Sequence, residues 1–320
     1  MIKLIWRTDV HLADKTPSRR TGNWTEDVVN KLKWIGQLAS NIEADAVLDG
    51  GDFFDVKSPS RNSHFLVQQA FQAHKDYPCP VYGLVGNHDV KYGKYEYLPE
   101  QPLGVLFTAG LFTEVGDDKE IVIEKDGLKV RIVGIPYHGT TYDLDRLSDI
   151  ERGDEDCLIA LCHLLARKGK TGTMFEGEDI VGYDFLDTIP QVDCWCFGHW
   201  HKDQGVAELP NGSLVVNTGS LTRGSLHLDD LDRKPCVVQL TVDSDGLSYE
   251  RHDVPVRDAK DAFKVAQALY EREDDARMLE IAERMKQMSL SDSEEPLSER
   301  VRKSGLSSEV IERALAYLGA

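Results

Sequence analysis

The feature that most constrains this chain is the repeated placement of a polar cluster directly after a short apolar run. Five such clusters occur, namely Asp9-Val10-His11, Gly50-Gly51-Asp52, Gly86-Asn87-His88-Asp89, His163 and Gly198-His199-Trp200-His201. Each preceding run has the length and the β-rich composition of a buried strand. Because open α/β sheets place their ligand sites at the carboxyl ends of strands, the five clusters are predicted to meet at one point.

The same patterns predict the rest of the architecture. The predicted strands are Ile2–Arg7, Ala46–Asp49, Val81–Val85, Val130–Ile135, Cys157–Cys162 and Cys194–Phe197. Helical spacing predicts helices after Thr25, the expected N-cap, near residues 65–73, and through Leu98–Thr108, where two prolines leave the start open. Turn signals at Asp126-Gly127, Asn211-Gly212 and Asp245-Gly246 predict hairpins. The predicted fold is α/β, with a two-sheet β-sandwich core flanked by helices.

The residue types in the five clusters favour a borderline metal ion. Imidazole and carboxylate without thiolate suit Mn²⁺ or Fe²⁺ and leave Zn²⁺ open. Each motif alone also has an ordinary explanation as surface or core, whereas all five at strand ends predict a metal site. The six cysteines form no C-x-x-C pair and lie mostly in apolar stretches, so reduced buried thiols are expected.

Composition limits the possible partners. The chain has 320 residues, 41% of them hydrophobic, and contains no apolar run long enough to span a membrane. Its first residues read as a strand rather than a signal peptide, so a cytoplasmic protein is expected. The net charge of −18 argues against strong, independent binding to nucleic acid, because such binding needs a basic surface.

The order D-x-H, G-D, G-N-H-D, H and G-H-x-H resembles the calcineurin-like metallophosphoesterase superfamily over about residues 1–225. The resemblance implies two divalent cations, with Mn²⁺ favoured, and a metal-bridging hydroxide that attacks a phosphodiester. It implies one metal held by Asp9, His11, Asp52 and His201. It implies a second held by Asp52, Asn87, His163 and His199, with Asp52 bridging. His88 would be an acid or a transition-state hydrogen-bond donor, and Asp89 would orient it.

Two further segments resemble the SbcD-type branch of that superfamily, the nuclease subunit of a double-strand-break repair complex. They run from Gly51 to Ser60 (GDFFDVKSPS) and from Asn217 to Ser225 (NTGSLTRGS). The resemblance implies a DNA exo/endonuclease that forms a homodimer through the helix near His64–His74 and works with an SbcC-like, SMC-type ATPase. Such a partner could supply the basic DNA-binding surface that this chain lacks. Asp55 stands where some relatives carry histidine, which leaves the exonuclease geometry open.

The expected domains are a nuclease domain at 1–246, an abbreviated cap at 247–288, a linker at 289–296 and a helical tail at 297–320. The tail either docks on the ATPase or packs on this chain's own core. The substrate contacts expected here are Arg223, Asp55, Arg19 and Arg20. Other lysines and arginines are expected to be solvated, and the aromatic run Tyr92, Tyr95 and Tyr97 either stacks on bases or, as is favoured, packs internally.

Two other functions stay open at this point. One is a phosphodiesterase or phosphatase of the same superfamily that acts on small substrates. The acidic composition of the chain suits a small substrate better than it suits a polyanion. A scaffold subunit that retains metal without turnover is the third reading. The intact His88 argues against the scaffold, because loss of a histidine that is not a ligand is the simplest way to disable such a site.

Overall fold

The fold is described from a computed structural model that covers residues 1–56, 61–91, 94–174, 177–224, 233–264 and 302. The chain divides into two compact units, Met1–Phe263 and Lys264–Ala320. Nearly all of the second unit lies outside the described residues, and so do most of the predicted cap, linker and tail. Those three segments stay predictions.

Two six-stranded sheets form the centre of the first unit. In the first sheet the spatial order is β15 (Gly246–Asp253), β14 (Cys236–Asp243), β1 (Ile2–Arg7), β2 (Ala46–Asp49), β3 (Val81–Gly83) and β4 (Thr113–Glu114). In the second it is β12 (Gly205–Glu208), β13 (Leu214–Asn217), β11 (Cys194–Gly198), β7 (Cys157–His163), β6 (Leu128–Ile135) and β5 (Ile121–Lys125). A small third sheet joins β8 (Ala166–Arg167), β10 (Asp179–Gly182) and β9 (Gly172–Thr173).

The two large sheets pack face to face. Their inner faces share one apolar cluster, to which β1 contributes Leu4 and Trp6 and the second sheet contributes Ile132, Ile159 and Cys196. The outer face of the first sheet is covered by α1 (Trp24–Ile42), α2 (His64–His74) and α3 (Pro102–Thr108). The outer face of the second packs against α4 (Asp145–Ser148) and α5 (Tyr183–Leu186). The prediction of a two-sheet sandwich with outer helices is therefore confirmed.

The predicted strands agree with the observed ones to within two residues at each end. The three predicted hairpins join β5 to β6, β12 to β13 and β14 to β15, and all three pairs are antiparallel. The predicted domain boundary at residue 246 falls at the first residue of β15, which continues the first sheet to Asp253. One further short helix, α6 (Ala259–Ala262), lies near the end of the described chain.

The expected N-cap of α1 is wrong. Asn23 takes that place, and its side chain accepts a hydrogen bond from the backbone N–H of Glu26 at 3.2 Å. Thr25 lies inside the first turn and donates its hydroxyl hydrogen to the carbonyl oxygen of Ala13 at 2.7 Å. Both residues can cap a helix, so composition alone could not choose between them.

The open start of the third predicted helix has a simple structural cause. A 3₁₀ turn covers Tyr95–Glu100, and α3 then begins at Pro102, which occupies the first turn where a missing N–H costs nothing. Tyr95 packs against the core of the first sheet, as favoured from the sequence. No helix in the described part of the chain has the length and apolarity to cross a membrane.

Candidate metal centre

The loops after β1 and β2 lie side by side because those strands are parallel neighbours. The backbone N–H of Asp9 donates to the carbonyl oxygen of Gly51 at 3.1 Å. The N–H of His11 donates to the oxygen of Asp52 at 3.0 Å. These bonds continue the strand pairing beyond the sheet and bring the first two polar clusters together. The loop after β13 supports them, since Ser220 donates its hydroxyl hydrogen to the oxygen of Asp9 at 2.8 Å.

Four of the predicted ligands adopt a left-handed backbone conformation. The φ angles are 52° at Asp9, 49° at His11, 53° at Asp52 and 88° at His199. Residues other than glycine rarely occupy this region, and holding one there costs on the order of 1–3 kcal/mol. Strain gathered at four side chains that face one point is characteristic of a functional site.

One glycine is required by close packing at the same point. A Cβ atom on Gly86 would lie 2.2 Å from Oδ1 of Asp52 and 2.5 Å from its backbone nitrogen. The absence of a side chain therefore lets the loop after β3 approach the Asp52 loop.

The first ligand group comprises Asp9, His11, Asp52 and His201, whose donor atoms lie within 4.8 Å of one another. Nε2 of His11 is 2.9 Å from Nε2 of His201. Oδ1 of Asp9 lies 3.5 Å from Nε2 of His201 and 3.9 Å from Nε2 of His11. Two imidazole nitrogens and a carboxylate oxygen that converge in this way form a suitable donor set for a divalent cation.

The second group comprises Asp52, His163 and His199. Nε2 of His163 is 3.4 Å from Oδ2 of Asp52 and 3.1 Å from Oδ1 of Asn87, which adds the predicted amide ligand. Nδ1 of His163 donates to the carbonyl oxygen of Gly50 at 2.7 Å. This outer bond fixes the ring and leaves Nε2 to face the cation site. Asp52 belongs to both groups.

Burial and the neighbouring carboxylates determine the pKa values of these histidine rings when no metal is bound. Burial alone would lower the pKa of His11, but bonds with Asp55 and Asp9 and the charge of Asp52 raise it to about 10. Burial opposes protonation of His163 in the same way, and Asp52 raises its pKa to about 9. Burial would raise the pKa of Asp52, yet the positive charge of His163 holds it well below its usual value. The carboxylates thus attract positive charge strongly.

His88 and Asp55 lie beside these ligands. The backbone N–H of His88 donates to Oδ1 of Asp52 at 2.7 Å, and its ring Nδ1 lies 2.6 Å from the carbonyl oxygen of Asp55. Asp55 contacts Nδ1 of His11 at 3.3 Å. Both residues line a cleft of about 680 Å³ that also includes His11 and His201. The Asp55 carboxylate is therefore engaged with a ligand while it borders the substrate cleft.

Asp89 contacts backbone rather than a ring. Its carboxylate accepts the N–H groups of Asp52 at 2.8 Å and of Gly86 at 2.9 Å. The residue is 2% exposed, and burial together with the charge of Asp52 raises its pKa to about 8. Asp89 thus joins the loops after β2 and β3, so it positions His88 through the backbone.

Sequence reasoning missed Glu178. Its Oε1 lies 2.8 Å from Nε2 of His199, and Tyr142 donates its hydroxyl hydrogen to the same oxygen at 2.8 Å. A carboxylate on the ring nitrogen that does not bind metal is the usual outer support of a metal-bound histidine. A single glutamate on a loop carries no motif, so the sequence offered no signal for it.

None of the three arginines expected to contact substrate lines the cleft beside the metal ligands. Arg20 and Arg223 are 6% and 4% exposed, and both lie over the ring of Phe263. They border a smaller cavity with Lys31 and Arg257, not the cleft beside the metal ligands. Arg19 is exposed and does not line that cleft either. Two cations that the sequence analysis did not select, Lys15 and Arg61, do line it.

The donor chemistry fits a pair of divalent cations. Imidazole nitrogens, carboxylate oxygens and an amide oxygen form two groups joined by one shared aspartate. Histidine and carboxylate ligands without thiolate are typical of Mn²⁺, Fe²⁺ or Zn²⁺ sites, and outer hydrogen bonds support the rings of His163 and His199. All seven predicted ligands are accounted for in this arrangement.

Comparisons with known proteins agree with this geometry. The family described as calcineurin-like phosphoesterase matches residues 3–203. The DNA double-strand break repair protein Mre11 of Methanosarcina acetivorans is 23% identical over 265 residues, which cover 80% of this chain and 39% of that protein. Mre11 of Saccharolobus solfataricus is 21% identical over 69% of this chain and 54% of its own length. The chain therefore spans about two fifths to one half of these relatives.

Among solved structures, a candidate 5′-nucleotidase of Staphylococcus aureus superposes with a TM-score of 0.53 at 18% identity. The match covers 86% of this chain and 58% of that one. At this identity the likeness concerns the fold alone, and it supports the two-sheet architecture.

Proposed function

Because the chain belongs to the calcineurin-like phosphoesterase family, we propose that it is a two-metal phosphodiesterase and acts as the DNA exo/endonuclease subunit of an SbcCD-like repair complex. The observation that carries the phosphodiesterase proposal is the membership of Asp52 in both ligand groups. One shared carboxylate between two histidine-rich groups suits a pair of cations acting on one phosphate.

The protein residues have distinct tasks in this reaction. One cation would be held by Asp9, His11, His201 and Asp52. The other would be held by Asn87, His163, His199 and the same Asp52 carboxylate. When bound, the cation pair lowers the pKa of a water molecule and offsets the charge of the phosphate. His88 borders the cleft beside these groups and donates a hydrogen bond or a proton to the leaving oxygen. Mn²⁺ is the proposed metal.

Support for DNA as the substrate comes from the Mre11 relatives, which match most of this chain. The homodimer proposal rests on α2, whose Phe65 is 61% exposed and offers apolar surface to a second copy. An SMC-type ATPase partner rests on the resemblance and on the amphipathic pattern after residue 305. A cytoplasmic location is part of the same proposal.

A second candidate is a phosphodiesterase or phosphatase for small substrates. The net charge of −18 favours it, because a strongly acidic chain attracts a small substrate more readily than a long polyanion. The third candidate, a metal-retaining scaffold, is disfavoured by the position of His88 on the cleft.

A substrate panel separates these candidates. The full chain with Mn²⁺ is incubated with linear duplex DNA, single-stranded DNA, bis(p-nitrophenyl) phosphate and p-nitrophenyl phosphate, each alone and with a purified SMC-type ATPase. We expect cleavage of DNA and of the diester. The matched control is Asp52→Asn, which should remove both activities if they belong to this site.

Turnover of the small diester or monoester without DNA cleavage, even with the ATPase present, would assign the chain to the small-substrate class. Bound metal without turnover of any substrate would assign it to the scaffold class. Either result rules out the nuclease proposal.

A further inference from the structure

The cleft beside the metal ligands is larger than one phosphate requires. Its volume of about 680 Å³ lies within the range of sites that enclose a whole small-molecule ligand. We propose that Lys15 and Arg61 form a second phosphate-binding subsite in this cleft, an inference that rests on the proposed function. The substrate is therefore a nucleotide chain with at least two phosphates. Neither residue belongs to the motifs that identify the metal ligands.

The wall that carries these two cations is held in place by hydrogen bonds. The carboxylate of Asp14 accepts the backbone N–H and the hydroxyl hydrogen of Ser63, both at 2.6 Å. Lys15 follows Asp14 in the chain, and Arg61 precedes Ser63 by two residues. The Asp14–Ser63 contact therefore brings the two cations onto the same part of the cleft wall.

Further bonds fix the loop that carries Lys15. Thr25 holds the carbonyl oxygen of Ala13, and the Thr16 hydroxyl donates to the oxygen of Gly22 at 3.2 Å and accepts from the N–H of Trp24 at 3.3 Å. Ser63 also caps α2 by accepting the N–H of Leu66 at 3.0 Å. These bonds fix the loop of Lys15 and the start of the helix after Arg61, which reduces the entropy that a charged side chain loses when it binds a ligand.

Lys15 and Arg61 differ from the acidic residues of the cleft in the contacts that they make. The two acidic residues that line it are already engaged, Asp14 with Ser63 and Asp55 with His11. Within the described ranges, no carboxylate lies within ion-pair distance of Lys15 or Arg61, and both side chains are exposed. They are therefore available to a ligand while they border the same cavity as His88 and His201.

A phosphate next to the cleaved one is the ligand that fits this arrangement. The metal ligands account for the phosphate that reacts, whereas Lys15 and Arg61 add two positive charges elsewhere in the cleft. Arginine binds phosphate oxygens through two parallel N–H groups, and lysine binds them as a point charge. A substrate with a single phosphate cannot use both places, but a nucleotide chain can.

The test compares Lys15→Ala/Arg61→Ala with Lys33→Ala/Lys75→Ala in the full chain. The control removes the same charge from exposed residues that border a different cavity. Binding of a fluorescent single-stranded oligonucleotide is followed by anisotropy over a range of salt concentrations. The cleft variant should bind at least about ten-fold more weakly, and its log–log salt slope should fall by about 1.4, because each lost phosphate contact removes about 0.7 for single strands.

Turnover supplies the second readout. The cleft variant should lose kcat/KM on the oligonucleotide at least about ten-fold more than on bis(p-nitrophenyl) phosphate, which has one phosphate. Equal losses on both substrates, or a salt slope equal to that of the control, overturn the subsite. The proposed function fails separately, since it fails if the unmodified chain with Mn²⁺ cleaves neither substrate, whatever the binding assay shows.

Discussion

At the scale of single residues, the ligands are held by contacts that short motifs do not record. His199 combines a left-handed backbone, an N–H bond to the Asp9 carboxylate at 3.1 Å and a ring contact to Glu178. Burial raises the pKa of Glu178, but the hydrogen bond with His199 and the other groups around the carboxylate together lower it by more. The pKa of Glu178 therefore lies below its ordinary value. The orientation of one metal ligand therefore depends on a residue from another loop.

Replacement of Glu178 by Gln should weaken metal binding. The amide keeps the size of the side chain but removes the charge that supports His199, and loss of such outer support commonly costs about 10–100-fold in metal affinity. Calorimetric titration of the metal-free protein with Mn²⁺ measures this effect. Glu208→Gln, on an exposed position of β12, is the matched control. Equal affinities for both variants would show that Glu178 does not support the site.

Replacement of His88 by Asn should separate chemistry from metal binding. His88 lies with His11 and Asp55 in a separate set of possible ligand atoms and in neither group that contains Asp52, so the metal held through Asp52 is expected to stay near normal. Loss of the proton or hydrogen-bond donor should lower kcat on bis(p-nitrophenyl) phosphate by about 10²–10⁴-fold. Loss of bound metal in this variant, measured by elemental analysis, would contradict the role assigned to His88.

Each predicted metal ligand follows a strand whose end is fixed by the hydrophobic pattern, and the structure brings these side chains together. The sequence did not show which cations border the cleft, because proximity in sequence does not determine the direction of a side chain. Arg223 follows the ligand loops closely, yet its guanidinium lies over Phe263. Lys15 lies four residues after His11, and only the contact of its neighbour Asp14 with Ser63 shows that it borders the cleft.

At the scale of secondary-structure elements, a buried polar network joins α2 to the strands that carry the ligand loops. Arg7, at the end of β1, is 1% exposed and donates from Nε to Asp49 of β2 at 2.7 Å. Its Nη1 donates to the Tyr77 hydroxyl at 3.1 Å, and its Nη2 lies 2.8 Å from Nε2 of His74. Nδ1 of His74 donates to the oxygen of Ala70, so Nε2 accepts from Arg7 and the ring is neutral.

This network predicts a loss of stability in mild acid. Burial, and then the charge of Arg7, hold the pKa of His74 well below its ordinary value of 6.5. As pH falls below 6.5, the unfolded chain binds a proton that the folded chain excludes, so the free energy of unfolding decreases by up to about 1.4 kcal/mol per pH unit. His74→Gln keeps an acceptor for Arg7 without this titration.

Urea unfolding of both proteins between pH 5 and 7.5 measures the effect. The difference in the free energy of unfolding should shift in favour of His74→Gln as pH falls, and it should be constant above about pH 7. His64→Gln, at the exposed other end of α2, should keep the pH dependence of the unmodified chain. Parallel curves for the unmodified chain and His74→Gln would rule out a neutral buried His74.

Strands were predicted more accurately than helix starts for a physical reason. The strands are buried on both faces, as in β7 and β11, so continuous apolar runs mark their limits. Helix starts depend on which polar side chain reaches a backbone N–H, and Asn23 and Thr25 both satisfy that requirement in the sequence. Only the bond from Thr25 to Ala13 shows that its hydroxyl is already used.

At the scale of the whole molecule, the predicted tail provides a test of assembly. Apart from Arg302, its residues lie outside the described part of the chain, but the sequence repeats apolar residues at helical spacing, namely Val310, Ile311, Ala314, Leu315 and Leu318. Deletion from Leu297 should abolish association with an SMC-type ATPase in a pull-down assay. The midpoint of thermal unfolding of the first unit, Met1–Phe263, should change little.

A matched pair of substitutions sharpens this test. Ile311→Asp/Leu315→Asp should reproduce the deletion, whereas Glu309→Gln/Glu312→Gln should keep the association, because the predicted contact is apolar. Association retained after deletion would leave the tail with the alternative role of packing on this chain. Lower thermal stability after deletion would support that alternative directly.

Four of the seven predicted ligands come from one sheet and three from the other, and this division has a consequence for stability. Asp9, His11, Asp52 and Asn87 follow strands of one sheet, while His163, His199 and His201 follow strands of the other. Cations bound by these residues would therefore link the two sheets. The free energy of unfolding should rise with the concentration of metal, by about 2.7 kcal/mol when the free metal exceeds its dissociation constant a hundredfold. Removal of the metal should therefore lower the stability of the chain together with any activity that depends on it.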